Sequence, residues 1–162
     1  MLIASFFILT AYIMYAVRVC GIPASVSDTY YILLRKRRPA WLFQLAMTLT
    51  GGLLLPAWLE VSPENLQFLA FLACGALIFV GATPLFKEAE QRVIHIAATV
   101  ISGLSTLAWE VASGYWIVPA IMLAAAIPYG VYKRRVLFFV ELAAFASAYI
   151  CVYLNNKQCV CG

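Results

Sequence analysis

The chain has 162 residues, of which 65% are hydrophobic and only 11% charged, and its formal net charge is +4. A water-soluble domain usually carries about 25% charged residues, so this composition excludes an ordinary soluble fold. The modest, clustered positive charge argues against a nucleic-acid partner and favours contact with anionic lipid headgroups.

Six apolar stretches are each long enough to cross a bilayer, which takes roughly 20 helical residues. Helices satisfy their own backbone polar groups in hydrocarbon, so the sequence predicts an all-α membrane bundle of six transmembrane helices in one domain, residues 1–162. The spans are expected at residues 2–19, 40–59, 65–83, 93–113, 115–132 and 136–154. The first stretch lacks the basic start of a signal peptide and is expected to remain as a membrane helix.

A short helix is predicted at residues 25–37, between the first two spans. Ser25 and Asp28 resemble a capping box at its start, and four basic residues lie at its end, where cations complement the helix dipole. The helix is too short to cross, so we expect it on the inner leaflet, or else as an ordinary capped linker. The side chains expected to contact anionic headgroups are Arg35, Lys36, Arg37 and Arg38.

The charges of the loops predict the orientation. Basic residues follow spans one, three and five, whereas Glu60, Glu64 and Glu110 mark the two even-numbered loops. Because lysine and arginine favour short cytoplasmic loops, both termini are predicted to be non-cytoplasmic, in a plasma or bacterial inner membrane.

A short pattern recurs near the ends of spans two and four, as Ala-Trp-Leu-Glu at 57–60 and Ala-Trp-Glu at 108–110. Trp58 and Trp109 fall at the predicted outer boundary, where amphipathic rings form an interfacial belt. The recurrence is equally consistent with an internal duplication, as in small transporters, and with chance.

Three polar residues interrupt the spans that run outward. Gln44 and Glu141 each lie six residues beyond a basic cluster, and His95 lies three beyond Arg92. Polar groups in hydrocarbon are costly and usually face the bundle interior, so we predict one polar layer in its inner third. A histidine and a desolvated carboxyl there could bind a cation or relay a proton. Alternatively, the helix start stabilises the glutamate, and the other two side chains only cross-link helices.

Other residues support narrower expectations. Glu110, at the predicted outer boundary, is a candidate outer gate. Gly51 and Gly52 in mid-span predict a close helix crossing or a flexible point. The five cysteines form no paired Cys/His signature, so no metal site is predicted, although the Cys159-x-Cys161 tail could bind a soft metal or form a disulfide.

No catalytic signature accompanies these residues. A single histidine excludes a three-histidine zinc site, and neither G-x-S-x-G nor HExxH occurs; no cofactor is expected and catalysis is not favoured. The sequence predicts a small-solute or ion transporter or channel-like protein, working as a homo-oligomer because six short helices enclose little volume. The alternatives are a non-catalytic scaffold that binds lipid or protein through the basic helix, and an intramembrane enzyme acting on a lipid-linked substrate.

Overall fold

The computed structural model describes residues 1–84 and 88–161, except for the side chains of residues 89, 90 and 158–161. Within these ranges all regular elements are helices, and a turn of 3-10 helix at Glu64–Leu66 precedes the fourth. The helices are α1 (Leu2–Cys20), α2 (Asp28–Arg35), α3 (Trp41–Val61), α4 (Gln67–Ala82), α5 (Ala89–Ala112), α6 (Ile117–Lys133) and α7 (Val136–Cys161).

Five of the described helices are long and apolar enough to cross a membrane, which makes the chain a multi-pass, membrane-embedded helical bundle. The apolar segments are Leu2–Cys20, Trp41–Val61, Glu64–Ala82, Gln91–Ala112 and Val136–Lys157. The third joins the 3-10 turn to α4, and the last two are the greater parts of α5 and α7. Helix α6 is also apolar but has 17 residues. The sixth crossing and the interfacial position of α2 remain predictions.

Helix α2 occupies only the middle of the predicted range 25–37. Residues 21–27 are not helical and end in a turn at 26 and 27, and the Ser25 hydroxyl accepts a hydrogen bond from the Asp28 N–H at 3.1 Å. The expected capping pair therefore lies at the start of the helix, although the first helical residue is Asp28. At the other end Arg37 has a φ of 54°, a left-handed conformation that an α-helix of L-residues does not continue.

The bundle is built from two closely packed groups of helices. Helix α3 packs on α1 and α4, α4 packs on α5, and α6 packs almost wholly on α7. The two groups are joined by a buried polar contact, because the Ser5 hydroxyl on α1 donates to the Thr50 carbonyl at 2.9 Å and lies 2.6 Å from the Tyr149 hydroxyl on α7. Between α5 and the α6–α7 pair the packing is incomplete.

Helices α3 and α4 approach so closely that side chains are excluded at two glycines. A Cβ added at Gly51 would lie 2.9 Å from the Cys74 carbonyl oxygen, and one at Gly81 would lie 2.9 Å from Met47 Cβ. The neighbouring Gly52 faces open space. The predicted close crossing in this span is therefore confirmed at Gly51 and not at Gly52.

Trp58 and Trp109 lie inside the bundle, so their predicted place in an interfacial belt was wrong. Their side chains are 1% and 0% exposed, and their rings meet edge to face with centroids 5.3 Å apart. The Trp109 Nε1–H donates to the Ser62 hydroxyl at 2.8 Å. Because the ends of α3 and α5 face each other, the two indoles fill the space between these helices. Trp116, which follows α5 and precedes α6, is by contrast 58% exposed.

Candidate functional site

A cavity of about 410 Å³ lies among α3, α4, α5, α6 and α7. Its walls are mainly apolar, and its volume falls within the range of small-molecule sites, roughly 300–1,000 Å³. We call the end of the bundle that carries Arg35–Arg38 and Lys133–Arg135 the basic end. Polar groups contribute to the lining near both ends of the cavity: Ser27 and Glu141 towards the basic end, and Glu110 and Ser147 towards the opposite end.

The basic end of the cavity is closed by the non-helical segment between α1 and α2, residues 21–27, which we call the latch loop. Glu141 Oε2 accepts a hydrogen bond from the Val26 N–H at 2.5 Å. His95 Nε2 lies 3.1 Å from the hydroxyl of the next residue, Ser27. Thus α7 and α5 each bind one of two adjacent residues in the loop.

The second nitrogen of His95 determines which tautomer the neutral ring adopts. His95 Nδ1 lies 2.9 Å from the Thr83 carbonyl oxygen, which can only accept a hydrogen bond. Nδ1 therefore carries the proton in the neutral ring, and Nε2 accepts from the Ser27 hydroxyl. This arrangement connects the end of α4, the start of α5 and the latch loop.

Further contacts hold the latch loop and the start of α2 in place. The Tyr12 hydroxyl on α1 lies 2.5 Å from the Thr29 hydroxyl, and Arg135 Nε donates to the Ile22 carbonyl at 3.1 Å. Pro23, Ser25, Val26 and Ser27 are buried, whereas Ala24 between them is exposed. The loop is therefore fixed mainly by side chains from other helices.

The structure brings together two of the three residues in the predicted polar layer. His95 and Glu141 meet at the latch loop through its adjacent residues. Gln44 is half-buried on α3, outside the cavity lining. Among the described residues the Gln44 side chain has no hydrogen bond. The backbone carbonyl oxygen of Gln44 faces Gly81 of α4. A role for Gln44 in the layer remains a prediction.

Glu110 is buried, although the sequence places it at the predicted outer boundary, where a carboxyl is expected to be solvated. Its side chain is 1% exposed and lies beside Ser147 and Cys151 of α7. Its Oε1 atom has no hydrogen-bond partner in the described part of the chain, and neither has Nε1 of Trp58, another residue of the cavity lining.

Sequence reasoning missed Ser147 and Cys151 as neighbours of the carboxyl. Both lie inside an apolar span, where a small residue is most simply explained by packing. Their spacing of four residues places them on one face of α7. That spacing was the only available signal, and it does not identify the helix that faces them.

The predicted basic cluster, Arg35 to Arg38, does not contribute to the cavity lining. The side chains of Arg35 to Arg38 are exposed, and the Lys36 ammonium donates to the Val19 carbonyl at 2.6 Å. Their contact with headgroups remains a prediction. The side chains of Cys159 and Cys161, like Lys87 in the third predicted loop, lie outside the described residues. Among those described, no three metal-ligating side chains cluster.

Comparison with known proteins provides no assignment. No protein-family model matches the chain, and no curated protein or solved structure matches it.

Proposed function

We propose that the protein is a small transporter or channel-like protein, and that the cavity is the pathway of its solute or ion. The observation that carries this proposal is the presence of two carboxylates, Glu141 and Glu110, in one cavity of an apolar bundle. Ionisable groups in hydrocarbon are costly and usually mark ion or substrate pathways. The bond from Glu141 to the latch loop would also serve a scaffold, whereas the second buried carboxyl, Glu110, holds no loop or helix among the described residues in place by a comparable bond.

The two carboxylates lie at different depths along the proposed pathway. Glu141 is near the start of α7, and Cys151, which lies beside Glu110, is ten residues further along. At 1.5 Å per residue, the two sites are separated by about 15 Å along the helix axis. A cation crossing the bundle would therefore meet one carboxylate and then the other.

The latch loop supports a gating role at the basic end, and Glu110 is the candidate gate at the opposite end. The loop closes the cavity through bonds from Glu141 and His95. These bonds can break without unwinding any transmembrane helix. Because both groups titrate, we propose that protons move with the solute or are themselves the cargo.

The proposal includes six crossings with both termini on the non-cytoplasmic side. At 1.5 Å per residue, the 17 residues of α6 extend about 25 Å, within the observed range for transmembrane helices. Trp116 and Lys133 flank this helix, as interfacial anchors do. In this arrangement Arg35–Arg38 lie at the inner leaflet, where anionic headgroups are the proposed partner.

Proton flux into liposomes tests the proposal. The protein is reconstituted in zwitterionic lipid with a pH-sensitive dye inside, and a potassium diffusion potential drives the flux. We expect protein-dependent acidification in the wild type. Glu141→Gln and His95→Ala should each lower its rate at least tenfold, because each removes a titratable group from the gate. Glu60→Gln, which alters an exposed glutamate outside the cavity, is the matched control and should retain the rate.

Two results would contradict the transport proposal. One is wild-type protein that gives no flux above empty liposomes. The other is a proton flux that neither Glu141→Gln nor His95→Ala lowers. In either case the exposed basic cluster at residues 35–38 would favour the scaffold, which binds lipid or protein, as the better interpretation.

A further inference from the structure

Glu110 is a fully buried carboxyl that has no cationic partner in the described part of the chain. Its neighbours there are the Ser147 hydroxyl and the Cys151 thiol, and its Oε1 atom has no hydrogen-bond partner. Isolated buried charge is strongly unfavourable unless it is paired. In its charged form the carboxyl therefore needs a partner that the described residues do not supply.

The surroundings of Glu110 restrict the chemistry of that partner. A bare metal ion requires several oxygen, nitrogen or sulfur ligands, whereas the described residues contain no cluster of three histidine, cysteine, aspartate or glutamate side chains. The indole of Trp58 also lines the cavity, and aromatic faces attract organic cations. A proton or an organic ammonium group needs only one carboxylate and therefore suits these surroundings better than a metal ion does.

The rest of the cavity can hold an apolar body attached to such a cation. Its lining includes Leu54, Leu77, Leu107 and Leu123, from four different helices. The cavity also has an open side between α5 and α6–α7, where the lining residue Leu104 is exposed. In a bilayer that side faces the acyl chains, from which an amphiphilic molecule can enter.

We propose that the cavity binds a lipophilic amine, whose ammonium group pairs with Glu110 and whose apolar portion lies along the leucine-lined wall towards Glu141. This inference rests on the proposed function in taking the cavity as the substrate site, and it names the substrate class. Glu110 then acts as the outer binding group for the cation, and Glu141 at the latch loop is the next carboxylate along the pathway.

Equilibrium binding of a permanently charged probe tests this inference without any flux measurement. The full-length protein is placed in nanodiscs of zwitterionic lipid, and uptake of radiolabelled hexyltrimethylammonium is compared with that of empty nanodiscs. We expect saturable binding at one site per chain, with octanoate, an anion of similar size, failing to compete. Glu110→Gln should weaken binding at least tenfold, and the control Glu60→Gln should change it less than twofold.

A second variant separates the site from the fold. Leu123→Trp retains Glu110 but fills the α6 side of the cavity, so it should also weaken binding at least tenfold while the melting temperature is unchanged. The inference is overturned if wild-type protein shows no saturable binding, or if Glu110→Gln binds the probe as tightly as wild type. Specific binding without proton flux in liposomes would refute transport alone. Flux without cation binding would refute the amine site alone.

Discussion

Gly51→Leu is expected to destabilise the protein strongly, because position 51 lies where α3 and α4 approach each other closely. Even a Cβ atom at this position would lie 2.9 Å from the Cys74 carbonyl and 3.0 Å from the side chain of Ile78 on α4. A leucine must therefore push α3 and α4 apart. Overpacking of this severity costs about 3 kcal/mol, or roughly 10 °C in melting temperature for a chain of this size.

Gly52→Leu is the matched control, because it makes the same change one residue away. Nothing lies within 4 Å of a Cβ atom at Gly52, and the helix propensity of leucine exceeds that of glycine. We expect its melting temperature to remain within about 2 °C of wild type, as for surface substitutions. Differential scanning fluorimetry in one detergent compares the two variants. Equal melting temperatures would show that the α3–α4 crossing is not centred on Gly51.

The double variant Glu141→Leu, His95→Ala is expected to release the latch loop. It removes the acceptor of the Val26 N–H and the partner of the Ser27 hydroxyl. A buried donor left without a partner costs about 1–3 kcal/mol, so local opening should become at least tenfold more frequent. Hydrogen–deuterium exchange of peptides covering residues 21–29 should accelerate by that factor, while exchange in α4 stays unchanged.

Ser62→Ala provides the control for the latch, because it removes a buried side-chain hydrogen bond at the other end of the bundle, with Trp109. Exchange at residues 21–29 should be unaffected in this variant. If the double variant leaves the loop protected, or accelerates exchange throughout the chain, then Glu141 and His95 do not hold the loop as a separate unit.

The helices of the bundle were largely predictable because hydrocarbon imposes a length on each of them. The span expected at 40–59 corresponds to α3 (Trp41–Val61), and that expected at 115–132 corresponds to α6 (Ile117–Lys133). The lengths and positions of the apolar stretches are enough to locate these helices. The short helix α2 was less predictable, since the preceding loop is held by contacts from distant helices that no local pattern encodes.

The candidate site was predictable only in part. His95 and Glu141 were found because an ionisable residue is conspicuous in an apolar span. The same argument gave Gln44 equal standing, yet its side chain lies apart from the cavity. The latch loop could not have been foreseen, since its bonds join residues 68 and 115 positions apart.

The spacing between Glu110 and Trp109 could be read from the sequence, but the burial of Glu110 could not. In the pattern near the end of α3, Glu60 follows Trp58 by two residues, whereas in α5 Glu110 follows Trp109 by one. One residue rotates a helical side chain by about 100°. Since the two tryptophans face each other, that difference leaves Glu60 exposed and turns Glu110 inward. The rotation could be interpreted only once the indoles were known to be in contact.

Cysteine labelling at the two ends of α6 tests most directly whether this helix is the sixth crossing and whether the cavity beside it reaches across the bilayer. Ala112 at the end of α5 and Lys133 at the end of α6 are both exposed, and each is replaced by cysteine in a cysteine-free chain. If α6 crosses, a membrane-impermeant maleimide added to intact cells labels Ala112→Cys, and it labels Lys133→Cys only after the membrane is opened. Labelling of both positions from the same side would contradict the account, because the cavity between α5 and α6–α7 would then not span the bilayer.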